Sequence, residues 1–151
     1  MNTNTQTTTF EALLAENTQL KKQYRDLKVK ERYLQVINDF ATSLLPQNTV
    51  EDIAWEVAKN AIANLEYEDC VVYLLDDRGE YLIQMAAHGP KNPIELDILN
   101  PIRIKVGEGI VGSVAKSGVA EIIADTRKDQ RYIIDDQRRL SEISVPIITD
   151  T

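Results

Sequence analysis

From Phe10 to Leu45 the chain carries neither glycine nor proline, and its apolar residues recur at helical spacing. With Phe10 at position a of a heptad, the d positions are Leu13, Leu20, Leu27 and Leu34. A strict leucine repeat of this period describes a supercoiling seam, narrower than the apolar face of a helix lying on its own core. The a positions are Phe10, Asn17, Tyr24 and Glu31, so the seam is flawed at its C-terminal end. Asn17 has a role in such a seam, because an Asn pair buried across a parallel dimer sets register and favours two strands. Glu16 at g and Lys21 at the following e would attract across the same interface. An exposed pair is worth about 0.2–1 kcal/mol, enough to select orientation but not to hold two chains. Residues 9–45 are therefore expected to form a helical coiled-coil segment in a parallel homodimer, with Leu13, Asn17, Leu20, Tyr24, Leu27 and Leu34 as its seam. A single amphipathic helix is the plainer alternative. Residues 1–8, polar and uncharged, are expected to be a disordered lead-in.

The pattern changes after Pro46. Asn48 or Thr49 can cap a second helix, with Glu51 and Asp52 well placed in its first turn. Its expected buried stripe is Ile53, Ala54, Val57, Ala58, Ala61, Ile62 and Leu65. Residues 70–75 are apolar almost without a break, which predicts a central strand. The turn residues Asp76, Asp77, Arg78 and Gly79 then lead into a second strand over 81–87, and so short a connection makes the pair antiparallel. Short strands are expected over 102–106 and 120–124, with a two-turn helix over 110–116 that stops at Gly118. One helical turn is expected around Tyr132. A last strand is expected over 142–148, where Pro146 implies an edge, a bulge or a strand start. The sum is an α+β domain, an antiparallel sheet with flanking helices, preceded by a long N-terminal helix.

Between strand 102–106 and the short helix lies Gly107-Glu108-Gly109-Ile110-Val111-Gly112, which has the spelling GxGxxG. Dinucleotide binding needs that motif inside a parallel βαβ unit, with an acidic residue about 20 positions on. Here the helix is too short, the strands are antiparallel, and Asp125 comes too soon. The glycines are better explained by a sharp strand-to-helix turn, with Gly107 and Gly109 at positive φ and Gly112 letting the helix approach the sheet.

The 151 residues are 43% apolar and 27% charged, enough for one core plus an accessory element. A formal charge of −7 argues against unspecific binding to nucleic acid or anionic membrane. No basic region precedes the leucine repeat, so it is not the zipper of a DNA-binding protein. No apolar run is long enough to span a bilayer, and the N-terminus lacks the features of a signal peptide. A lone cysteine, Cys70, fits a reducing cytoplasm and supplies neither an internal disulfide nor a thiolate metal site. No metal or cofactor is expected. Cys70 begins a strand and is read as structural rather than nucleophilic. His88, the sole histidine, is read as a hydrogen-bonded loop residue.

Three stretches in order carry a resemblance: the glycine turn 106–118, the run Asp125-Thr126-Arg127-Lys128-Asp129-Gln130-Arg131-Tyr132, and the strand Ser141-Glu142-Ile143-Ser144-Val145-Pro146-Ile147. Together with the preceding hairpin they resemble a GAF domain (PAS-like in layout) over residues 46–151. The kind resembled is the one bacteria place in sensor histidine kinases and related signalling proteins. The resemblance implies a small-molecule pocket between the sheet and the segments that follow its middle strands. Its candidate residues are Gly109, Ile110, Val111, Asp125, Asp129, Arg131, Tyr132 and Ser144, with Tyr132 the best anchor because an aromatic can cover a pocket and still hydrogen-bond. GAF domains usually continue with another strand and a helix, so the domain is expected to be C-terminally incomplete. The expected function is a non-enzymatic sensory module that dimerises and signals to an output domain. A small-molecule receptor, for instance for a cyclic nucleotide, is the alternative, and a Cys-dependent methionine sulfoxide reductase is the less favoured one.

Overall fold

A computed structural model describes residues 3–65, 67–92 and 96–148. The chain divides into two compact units, Met1–Leu45 and Pro46–Thr151. The first is a single helix, α1 (Thr3–Leu44). It starts within the segment expected to be a disordered lead-in. A nucleated helix can propagate into polar residues, and α1 extends upstream of its apolar pattern although Thr and Asn are weaker helix formers than the residues downstream.

The second unit opens with α2 (Val50–Leu65). Its start is a reciprocal cap: the Asp52 amide donates to Thr49 Oγ1 at 3.0 Å, and the Thr49 amide donates to Asp52 Oδ2 at 3.2 Å. The buried face is Ala54, Trp55 and Ala58, which pack with Ala86 and the half-buried Cys70, Val72, Met85 and Ile98. This corrects the expected stripe, since Ile53 and Leu65 are exposed and Trp55 replaces them. The small alanines let α2 sit close to the sheet, and the indole fills the remaining space.

The sheet under α2 runs in the order β1 (Cys70–Leu75), β2 (Tyr81–His88), β3 (Arg103–Lys105), antiparallel throughout. β2 is therefore the central strand, and β1, expected there, lies at the edge and is half-buried along most of its length. An unbroken apolar run reports two covered faces, not two strand neighbours.

Residues 109–117 form α3 (Gly109–Ser117), which ends on Gly118 in the left-handed conformation at φ 68°, its amide donating to the Val114 carbonyl at 2.8 Å. α3 packs against β3 and against β5. β4 (Glu121–Ile123) and β5 (Glu142–Ser144) pair antiparallel as a separate two-stranded sheet. The expected single sheet is thus two sheets joined by α3. The last strand stops at Ser144, before Pro146, which has no N–H to offer a ladder. The helical turn expected near Tyr132 lies earlier, as a 3-10 turn over Thr126–Lys128 whose N-cap is Asp125.

Candidate functional site

One irregularity in the β1–β2 ladder decides which side chains meet. Val72 pairs with Ala86, but the next residue, Tyr73, pairs with Gln84, so β2 holds an extra residue. Residues two apart on a regular strand share a face. The bulge breaks that parity. Val72 and Ala86 face α2, while Tyr73 and Gln84 turn to the opposite side of the sheet.

On that side Gln84 is 5% exposed and its amide is fully engaged. Oε1 accepts from Lys91 Nζ at 2.8 Å and from the Ile102 amide at 2.9 Å. Nε2 donates to the Tyr73 hydroxyl at 3.0 Å and to Asp135 Oδ2. Lys91, also 5% exposed, forms an ion pair with Asp135 Oδ1. A lysine is rarely this buried without a partner, and here the partner comes from the segment after the 3-10 turn. Burial pushes the Tyr73 phenol well above its usual range, reinforced by the negative charge of Asp135, Glu142 and Asp69.

The segment that brings Asp135 is tethered at both ends. The Thr126 amide donates to the Leu140 carbonyl at 3.0 Å, and its hydroxyl donates to the Arg139 carbonyl. Tyr132 Oη accepts the Arg139 amide at 2.8 Å, and the Arg139 guanidinium reaches Asp69 at 2.8 Å and Asp136 at 3.2 Å. Arg131 bridges Asp129 at 2.8 Å and Glu121 of β4 at 2.7 Å. Ile133 lies over the glycine turn, close enough that a Cβ at Gly109 would meet its Cδ1 at 2.6 Å.

No protein-family model matches the sequence, and neither does any curated protein. The GAF domain of a phosphoenolpyruvate-protein phosphotransferase from Acinetobacter superposes with a TM-score of 0.67 at 20% identity, over 78% of this chain and 69% of that one. A putative GAF sensor protein from Burkholderia vietnamiensis gives 0.61 at 19% identity, over 79% and 70%. Free methionine-R-sulfoxide reductase from Neisseria meningitidis, solved with its substrate, gives 0.65 at 22% identity, over 78% and 66%. This chain has a GAF-like fold.

Within the GAF-like unit the residues singled out from the sequence fall into two groups. Gly109, Ile110 and Val111 open α3, where Ile110 is buried and Val111 half-buried, and Ser144 is buried in β5. Asp125, Asp129 and Arg131 are engaged with their own neighbours: Asp125 with Arg127, Arg131 with Asp129 and Glu121. Tyr132 spends its hydroxyl on the Arg139 amide. The structure also brings together a buried polar group that the sequence does not mark as a site, Tyr73, Gln84, Lys91 and Asp135. Its visible signals are a glutamine inside an apolar strand and Asp135 within the charged run that follows Asp125.

Two further groups bear on chemistry. Cys70 is held above its ordinary thiol range by burial first and by the charge of Asp69 second, so it is a thiol near neutral pH. Among the described residues the buried Nδ1 of His88 has no hydrogen-bond partner, where a hydrogen-bonded loop residue was expected. Strand pairing with Cys70 carries His88 onto the packed sheet instead of the loop. Among the described residues no group of three or more His, Cys, Asp or Glu is placed to hold a metal, and no helix is long and apolar enough to cross a membrane.

Proposed function

We propose that this chain is a non-enzymatic sensory module of a bacterial signalling protein, such as a histidine kinase of a two-component system. In this reading it acts in the cytoplasm, α1 pairs with a second copy as a parallel coiled coil, and the GAF-like unit regulates an output domain. The observation that carries the reading is the stripe on α1. Phe10, Leu13, Leu20, Tyr24, Leu27 and Leu34 are each 55–68% exposed, at heptad positions a and d. Apolar surface removed from water is worth about 25 cal/mol per Å², so a repeated stripe of this kind favours a partner. Asn17, Leu20, Lys21, Tyr24 and Arg25 line a shallow depression on α1, and the first four, at positions a, d, e and a, would be the corners of a hole for a leucine knob in a parallel pair.

Sedimentation equilibrium at micromolar concentration tests it. The full chain is expected to be a dimer, and Leu20→Lys with Leu27→Lys in the same chain is expected to be a folded monomer. A monomeric parent chain, or a double variant that still dimerises, overturns the seam.

A second reading, a small-molecule receptor, is favoured by the buried polar group between the sheet and the 125–140 segment. The reductase reading is disfavoured by Cys70, because a protonated thiol on a packed strand is a poor nucleophile.

A further inference from the structure

Lys91 is an ammonium held at 5% exposure by a carboxylate that arrives on an irregular segment. Such a pair is a weak source of stability, because taking both charges from water offsets most of their attraction. The donors that meet the carboxylate are nevertheless fixed without it. Gln84 is placed by β2 and oriented by the Ile102 amide and the Tyr73 hydroxyl, and it in turn holds Lys91 Nζ at 2.8 Å. Each oxygen of Asp135 meets a different donor, Oδ1 the ammonium and Oδ2 the Gln84 amide. That arrangement matches a planar, singly charged, two-oxygen acceptor.

We propose that Lys91, Gln84 and Tyr73 form a receptor for a small carboxylate-bearing ligand, whose place is taken here by the chain's own Asp135. The incoming carboxylate displaces Asp135 and frees residues 134–135, while Ile133 stays over Gly109 and Asp136 stays on Arg139. The tethers through Thr126, Tyr132 and Arg139 do not involve Asp135, so the segment can rearrange in the middle while its ends stay attached. A dianion such as phosphate fits less well, since one lysine balances one charge and Asp69 and Glu142 already place negative charge near Tyr73. The proposal rests on the sensory reading of the GAF-like unit and names its ligand class.

Chemical rescue tests it with acetate as the probe. In Asp135→Ala the receptor is emptied, and acetate is expected to raise the melting temperature saturably, whereas sodium chloride at equal ionic strength is not. The parent chain is expected to bind acetate at least tenfold more weakly, because Asp135 competes. Adding Lys91→Met to Asp135→Ala is expected to abolish the response. An Asp135→Ala chain indifferent to acetate, an equal response without Lys91, or an equal response to phosphate each overturns the proposal. If Asp135→Ala does not fold, amide chemical shifts of the parent chain decide. Acetate, but not chloride, is expected to shift the resonances of residues 134 and 135 and of the Gln84 side-chain amide saturably, and unchanged shifts overturn the proposal. Neither readout depends on α1, so failure here leaves the dimer test standing, and the reverse also holds.

Discussion

A Cβ at Gly112 would lie 2.5 Å from the Lys105 carbonyl oxygen and 3.2 Å from the Gly107 amide nitrogen. Both are backbone atoms, so the helix would have to move away from β3. Gly79 differs, with φ at 68° and nothing within 4 Å of its missing side chain. Gly112→Ala is expected to cost ~1–3 kcal/mol in urea unfolding, through overpacking. Gly79→Ala is expected to cost only ~1 kcal/mol, for its backbone conformation. The reverse order would show that backbone conformation at Gly79 outweighs close approach at Gly112. Gly107 and Gly109 hold the positive φ values expected of them, 90° and 69°.

At the level of elements, α2 shows what local chemistry does and does not dictate. Its start was visible as Asn48 or Thr49 ahead of the acids Glu51 and Asp52, and the reciprocal hydrogen bonds choose Thr49 and Asp52. Thr49→Ala is expected to lower stability by ~1 kcal/mol, read as a shift in the denaturant midpoint at constant slope. A change within error would mean that water caps the helix equally well. The face that α2 buries was less visible, because Ile53 and Trp55 differ in direction by half a turn and only the sheet chooses between them. β1 repeats the lesson. Its composition is that of a buried strand, yet its place at the sheet edge depends on which strands come to pair with it.

For the whole molecule, charge gives stability a defined pH profile. The Arg127 guanidinium, by hydrogen bonding, holds Asp125 down to about 2 from an ordinary 3.8. Hydrogen bonds from Arg131 likewise lower Glu121 and Asp129. Each carboxylate binds its proton less readily in the fold, so its contribution is present above its ordinary value and lost as pH falls through the lowered one. Glu142 has the opposite sign. Burial, then the charge of Asp129 and Asp69, raises it above 4.5, and its buried Oε1 has no hydrogen-bond partner among the described residues. The folded state keeps that proton longer than the unfolded chain, so stability declines as pH rises from 4.5 through the raised value. Thermal melts across pH are expected to show loss on acidification below 3.8, centred towards 2 for Asp125. They should also show Glu142→Gln above the parent near neutral pH, with that advantage gone below 4.5. A variant no more stable than the parent near neutral pH would refute the burial of Glu142.

Periodicity, turn chemistry and charge are local properties, and the chain alone determined what they govern. These were the long helix with its leucine stripe, the capped second helix, the antiparallel hairpin and the glycine turn into α3. Their positions follow from dihedral preferences and from hydrogen bonds between residues close in sequence. The site was another matter. Gln84 and Lys91 come from β2 and the loop after it, and Asp135 lies 51 residues beyond Gln84 in the hydrogen bond that joins them. Which face Gln84 takes depends on a single extra residue in β2, and a one-residue slip turns every side chain to the other side of a sheet. Only the tertiary structure could bring those groups together, because strand register and the path of an irregular segment are settled by packing between distant parts of the chain.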